Sequence, residues 1–434
     1  MKSLGVLWLI VFISLMGFGV TAVPFPLVAE QMGASDFWKT FGGAGVFSLF
    51  QLVATPLWGR WSDALGRKPI LIITSAASVL AYLWLAYADT LTGLIVARAF
   101  GGITSGNLSA AFAYATDVTE PRNRARGLGI VSSAFGVGFA VGPPLGGFLG
   151  TGAGGVPSLH GPALASAGFS LLALLGTALL LRESLPPQMR KPWRRAAAPD
   201  AALASPAVAP SSGAPPLDGA VPAARRSPFT ALAARPVLAG LILATMMVAI
   251  GGGAMQSVFQ FWGRDLFHFT LRDVGIQFMT FALLSALGQA VLIGPLARRF
   301  GEKPVAVGAI AGVAIGLMIF ALAGSVAMVW VGIVIFGLAN GLFLPSVTSL
   351  VSFEADPGNR GAVMGLFNAA SSAGRIVGPA VSGPIYFNVG TAAPFAFAAV
   401  LVGIGAALLG RARARPAAVA PTGPGPSAPE DPIG

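Results

Sequence analysis

The chain has 434 residues, of which 55% are apolar and 10% charged, with two histidines and no cysteine. So few charges cannot cover a water-facing surface, where about 25% is usual, which sets aside a soluble globular enzyme. The lack of Cys removes disulfides, thiol nucleophiles and Cys-held metals. The net charge of +11 is scattered in short clusters between apolar runs, the pattern of a multi-span membrane protein rather than of a nucleic-acid-binding face.

A membrane helix needs about 20 mostly apolar residues. In chain order, twelve stretches qualify: 5–28, 41–59, 69–88, 91–115, 127–149, 161–181, 236–261, 273–296, 304–323, 326–352, 361–386 and 390–410. The first follows Lys2 as a secretory leader would. Its apolar run is longer than a leader's, however, and reaches Pro24-Phe25-Pro26 without a small-residue cleavage site, so it is read as a retained helix. Trp8, Trp38, Trp58, Trp61, Trp84, Trp262 and Trp330 lie in or near the spans, where interfacial anchoring or plain packing accounts for them. His160 and His268 fall in predicted loops, which leaves haem, zinc or Ser/His/Asp chemistry little to use.

Loop charge orients the set. With the N-terminus inside, inner segments hold 22 of the 27 Lys and Arg residues. Outer loops hold Lys39, Arg264 and Arg272, while Arg98 and Arg375 lie within spans. That bias predicts a multi-pass protein of the plasma (inner) membrane with both termini cytoplasmic.

Residues 196–224 are Ala/Pro/Ser/Gly-rich with few large apolar side chains, too poor in apolar surface to fold. The expected organisation is a six-helix bundle over 1–182, a largely disordered cytoplasmic linker over 183–235, a second bundle over 236–410 and a disordered cytoplasmic tail over 411–434. The halves repeat. Gly59, Gly66, Lys68 and Pro69 recur at Gly294, Gly301, Lys303 and Pro304, offset by 235. Gly102 and Gly106 recur at Gly337 and Gly341 at the same offset, and Gly142-Pro143 recurs at Gly378-Pro379 at 236. Glu120-Pro121-x-Asn123-Arg124 recurs as Asp356-Pro357-x-Asn359-Arg360. Parallel six-helix repeats with a midplane site between them predict alternating access.

The loop after the second span reads Gly59-Arg-Trp-Ser-Asp63-Ala-Leu-Gly66-Arg67-Lys68. It resembles the G-x-x-x-D-R/K-x-G-R-R/K signature of the major facilitator superfamily, with Ala64 replacing a basic residue. Gly59 allows close helix approach and Gly66 a tight turn. Asp63 can accept from backbone N–H groups or a helix N-terminus, and Arg67 can take a carboxylate. The resemblance implies twelve helices in two pseudo-symmetric bundles. It further implies that this loop braces the outward-open state, with Asp117 pairing with Arg67; otherwise the loop only sets topology. Asp63 aligns with Arg298 in the second half, so the brace is expected to be asymmetric.

Gly138-x-x-x-Gly142-Pro143-x-x-Gly146-Gly147 resembles the stretch typical of the family's drug:proton antiporters, including the tetracycline and multidrug efflux branch. Small residues at this spacing give a face for close packing. Arg98-x-x-Gly101-Gly102 resembles that branch's R-x-x-Q-G, which implies a role for Arg98 in proton handling. A charge inside a span costs at least about 2.5–3.5 kcal/mol, so Arg98 and Arg375 should face protein or water, in a functional or a purely structural role.

Tetracycline-type exporters carry an Asp in helix 1, where this chain has Ser14 or Leu15. All sixteen acidic residues fall in loops, tails or span ends, and Glu30 is the candidate proton site. Gln256, Gln260, Gln277, Gln289, Asn340 and Asn368 are the remaining amides within spans, available either to line a cavity or to join helices. Gln256 and Gln260 share one helix face. The leading expectation is a monomeric, proton-coupled exporter of small amphipathic compounds, with membrane lipid around it and no cofactor, metal or nucleic acid. An importer or facilitator of an organic anion or sugar, with Arg98 and Arg375 in the site, and a non-transporting sensor are the alternatives.

Overall fold

The computed structural model describes residues 2–120, 123–190, 236–355 and 360–412, which form twelve helical rods. The first half has α1 (Lys2–Ala22, continued by Phe25–Gln31), α2 (Asp36–Leu65), α3 (Arg67–Ala86), α4 (Leu91–Ser105, continued by Leu108–Asp117), α5 (Arg124–Leu149) and α6 (His160–Leu180). The second has α7 (Pro236–Phe267), α8 (Leu271–Phe300), α9 (Glu302–Leu322), α10 (Val326–Glu354), α11 (Arg360–Asn388) and α12 (Ala393–Arg411). Nine of these rods are long and apolar enough by themselves to cross a membrane. Helical backbone satisfies most of its own hydrogen bonds, the condition for a segment in hydrocarbon. Several run past the predicted spans, because the hydrogen-bond ladder continues after apolar composition stops.

Two predicted spans are jointed. α1 breaks at Val23-Pro24, where proline supplies no N–H. α4 breaks at Gly106-Asn107, and side chains take carbonyls the ladder leaves there: Trp58 Nε1 donates to Ile103 O at 2.6 Å and Gln51 Nε2 to Ser105 O at 3.4 Å. His160 opens α6 instead of lying in a loop. Trp262 is fully buried in the second half's core, not in an interfacial belt. Residues 183–190 fold back on the first half, with Leu185 buried. The remainder of the expected linker, 191–235, and the tail from 413 lie outside the described residues.

The repeat is visible in the packing. Gly66 and Gly301 turn the chain after α2 and α8 at φ 108° and 84°, a conformation that favours glycine. On α5, a Cβ at Gly142 would stand 2.8 Å from Gly19 Cα, and one at Gly146 would strike Val20 O, both on α1. On α11, Gly374 and Gly378 meet Met246 O and Ile250 O of α7 in the same way. Gly102 of α4 lies on Phe47 O of α2, and Gly337 of α10 on Phe281 O of α8.

The halves meet through α1–α7, α2–α11 and α5–α8. Gly147 of α5 abuts Leu271 O of α8, and Gly383 of α11 abuts Asp36 O of α2. These two glycine contacts lie at the end of the molecule remote from the chain termini, while α5 and α8 pack along much of their length. α4 and α10 have their principal packing partners within their own halves. Among the described residues the glycine and charge contacts that join the halves gather toward the remote end, and the region between the halves on the other side is the candidate chamber.

Gly146→Ala is expected to lower the melting temperature of the purified protein, by an overpacking cost of about 1–3 kcal/mol. Gly168→Ala on α6, where a Cβ would meet nothing within 4 Å, should not. Equal stability of the two variants would reject the tight α1–α5 contact.

Candidate functional site

The chamber's sealed end is a cluster of charges. Arg264 of α7 reaches across the halves to Glu30 of α1 at 2.5 Å, and its Nε donates to Asp265 at 2.8 Å. Glu30 and Asp265 are themselves related by the 235-residue offset, so one guanidinium bridges a repeat-related pair of carboxylates. Tyr386 of α11 donates to Asp265 at 2.8 Å. Lys39 of α2 bonds Asp36 at 3.0 Å, stands 3.8 Å from Glu30 and lies 4.0 Å over the Phe387 ring of α11. Arg272 of α8 lies 4.9 Å over Phe148 of α5. All three bases assigned to outer loops thus hold this clasp. Glu30 is found as a bridging member of it, at the seal and not in mid-chamber.

At the termini end, the loop after α2 folds entirely onto its own half. Arg67 is 8% exposed and donates to Asp63 at 2.5 Å, Ser62 at 2.7 Å and Asp117 at 3.2 Å. Ser184 also donates to Asp117 at 3.0 Å. Glu183 accepts from the backbone N–H groups of Arg67 and Lys68 at 2.9 and 3.3 Å, placing an anion on the α3 N-terminus. A Cβ on Gly66 would strike that carboxylate. Lys68 Nζ donates to Ala178 O at 2.8 Å, and Gly59 lies against Ser109 of α4. Sequence reasoning missed Glu183; its one local signal was an acid immediately after the sixth span.

Inside the rods the two arginines part company. Arg98 is 2% exposed, enclosed by the rings of Phe18, Phe25 and Phe47 at 5.1–5.6 Å, and donates to Thr21 at 3.0 Å. Its Nε has no partner. Arg375 is exposed and held only by Ser371 and Ser372 of its own helix, at 3.1 and 3.0 Å. Among the described residues no carboxylate pairs with either.

The amides divide too. Gln256 is partly exposed, whereas Gln260 is 2% exposed with an unpaired Oε1 and does not line an open wall. Gln277 is buried among Phe259, Phe278, Phe281, Phe320 and Phe336. Asn340 donates to Ser285 at 3.2 Å, tying α10 to α8. The α5 motif packs on α1 through Gly138, Gly142, Pro143 and Gly146, and on α8 through Gly147. Ser14 borders a polar cavity of about 20 Å³ with Ser75, Ser78, Tyr82, Ser105, Asn107 and Ser170, room for one water.

The Major Facilitator Superfamily model matches residues 7–271 and 241–431. The chain is 28% identical to the class C tetracycline resistance protein of Escherichia coli over 85% of this chain and 86% of that one. It is 30% identical to major facilitator superfamily domain-containing protein 10 of Bos taurus over 83% and 76%. The crystal structure of the human organic anion transporter MFSD10 (TETRAN) superposes with a TM-score of 0.65 at 24% identity, covering 94% of this chain and 99% of that one.

Arg264→Glu should open the remote end, and the exchange Glu30→Arg with Arg264→Glu should close it again. The shift is expected to be fivefold or less, because Arg264 is 42% exposed and such pairs contribute about 0.2–1 kcal/mol. Spin-label distances between the remote ends of α2 and α11 would read it; no rescue by the exchange would deny the clasp a pairwise role. Asp63→Asn should enlarge the population open at the termini end, and an unmoved distance distribution across that end would remove the brace.

Proposed function

The chain belongs to the major facilitator superfamily, and from that premise we propose that it exports small amphipathic compounds in exchange for protons. The fold is that family's, and the protein is a multi-pass membrane transporter of small molecules, not an enzyme. Its mechanics follow from the two halves. Each is bound internally by glycine-to-backbone contacts, and they touch each other along α5–α8 and α2–α11 and at a charge clasp. Rocking about the chamber exchanges one closed end for the other.

The observation that carries the reading of direction is the α5 stretch from Gly138 to Gly147. It packs α5 on α1 and, through its last glycine, on α8 at the seal. In our reading the termini face the cytoplasm, so the chamber opens to the cytoplasm and loads there. The linker and tail then lie on that side too, and the protein works as a monomer in the inner membrane, surrounded by lipid.

Glu30 is the proton-responsive group in this scheme. On taking a proton from outside, Glu30 no longer offers a carboxylate to Arg264 and the remote end opens. The inner brace of Asp63, Arg67 and Asp117, with Gly59, Gly66 and Lys68 shaping its loop, closes the cytoplasmic end in that state. For exchange, that proton leaves to the cytoplasm-facing side when Glu30 and Arg264 pair again. Arg98, behind its aromatic wall, fixes positive charge beside the α1 joint without touching cargo.

Proteoliposomes holding the purified chain are expected to accumulate tetracycline when the lumen is made acidic, and Glu30→Gln should reduce the response several-fold. Uptake indifferent to the imposed gradient would reject proton exchange. Unchanged drug susceptibility of cells with and without the gene, across neutral, anionic and cationic compounds, would reject export.

A further inference from the structure

Arg375 lies on the α11 face that continues, at spacings of three and four residues, through Pro379, Ser382 and Tyr386. Further along, that face is occupied by neighbours. Thr40 of α2 donates to Pro379 O at 2.7 Å. Ser382 meets Ser257 of α7 at 2.8 Å, and Tyr386 bonds Asp265 of α7. One turn nearer the termini, α2 still runs alongside α11, yet among the described residues nothing beyond its own helix bonds the Arg375 side chain. Arg375, about 6 Å along the helix from Pro379, is exposed at this level.

The wall beside it has been cleared. α7 runs past as Gly251-Gly252-Gly253. A Cβ on Gly253 would come 3.6 Å from Arg375 Cα, whereas one on Gly252 would meet nothing within 4 Å. Gln256, one turn from Gly252 on α7, is partly exposed. A permanent cation at membrane depth normally faces an acid or a functional cavity. Here, among the described residues, its only partners are two hydroxyls of its own helix. The nearest carboxylates across the seal are committed to Arg264, Lys39 and Tyr386.

We propose that Arg375 anchors the carboxylate or sulfonate of an amphipathic organic anion in the chamber, with Gly252 leaving room for its apolar body and Gln256 at hand for a polar substituent. The inference rests on the transporter reading and narrows its cargo, since a cationic amphipath would meet an uncompensated positive charge at this level. Of the two arginines considered as anion ligands, Arg98 is excluded by its enclosure and Arg375 remains. The guanidinium is a fixed fork able to grip two oxygens at once. Ser371 and Ser372 accept from it without neutralising it, so it is held in place and keeps its charge.

The test is calorimetric binding to the full chain in nanodiscs, against empty nanodiscs, in chloride buffer. The probes are naphthalenesulfonate, naphthalenemethanol and naphthylmethylammonium. The sulfonate is expected to bind tightest and the ammonium weakest. Arg375→Gln should weaken the sulfonate about 10–100-fold, the range for a charge-assisted bond, and leave the alcohol within about twofold. Arg375→Lys should recover part of the loss. Gly252→Phe, which keeps the charge and fills the space, should also weaken the sulfonate at least about tenfold, and serves where Arg375→Gln does not fold. A sulfonate that binds no tighter than the alcohol, or equally well to parent and both variants, overturns the proposal. Sulfonate binding that depends on Arg375, with flux indifferent to a pH gradient, upholds this anchor and sinks proton-coupled export.

Discussion

Close approach of backbones at glycine is the constraint on which the molecule depends. In hydrocarbon, two helices gain little by burying apolar surface against each other rather than against lipid, so they cohere where small residues let them touch. α5 does this on α1 through Gly138, Gly142 and Gly146, and α11 does it on α7 through Gly374 and Gly378. The seal between the halves uses the same device, with Gly147, next to Gly146, on α8 and Gly383, five residues past Gly378, on α2. The helices that bind each half internally are thus the helices that close the chamber. Rigid halves that meet along a few helix pairs are what a rocking mechanism requires.

Charge is placed on this frame sparingly and at its ends. Buried pairs are expensive to desolvate, and the ion pairs here sit toward the rod ends, where Arg67, though buried, is held by several partners. Arg264, Lys39 and Arg272 join the halves at one end, and Arg67 gathers Asp63 and Asp117 at the other. The two clusters are complementary: the remote one spans both halves, while every partner of Arg67 named above lies in the first half. Among the described residues, the structure is accordingly clasped across the halves at the remote end, and the Arg67 cluster at the termini end stays within the first half.

Much of this was legible in the residues. Twelve apolar stretches, the bias of Lys and Arg, and the four ordered repeats at one offset all report on partition between oil and water or on backbone geometry, which local sequence dictates. Gly66 and Gly301 were readable as turns because positive φ is a property of one residue. The parts that could not be read depend on partners distant in sequence. Gln260 stands four residues from Gln256 on one helix face, yet one is buried in the second half and the other partly open, because the wall drifts round the rod along its length. Neither the joint in α4, set by Trp58 and Gln51 from α2, nor the role of Glu183 on the α3 N-terminus has a periodic signature.

The repeat also separates machinery from chemistry. Switching devices come in pairs: glycine turns at 66 and 301, glycine seals at 147 and 383, carboxylates at 30 and 265. The in-span cations do not. At the repeat offsets Arg98 corresponds to Ile333, which lines an apolar pocket, and Arg375 corresponds to Phe139. A duplicated unit obeys the same mechanics at both walls, so whatever selects a cargo has to come from positions where the copies differ. Of the two unmatched cations, one is walled off by three aromatic rings and the other is exposed and bonded only to serines of its own helix among the described residues, and only a group that cargo can reach can discriminate between cargoes. Symmetry thus leads to Arg375 by a route independent of its exposure, since the first half offers no equivalent charge to share its task.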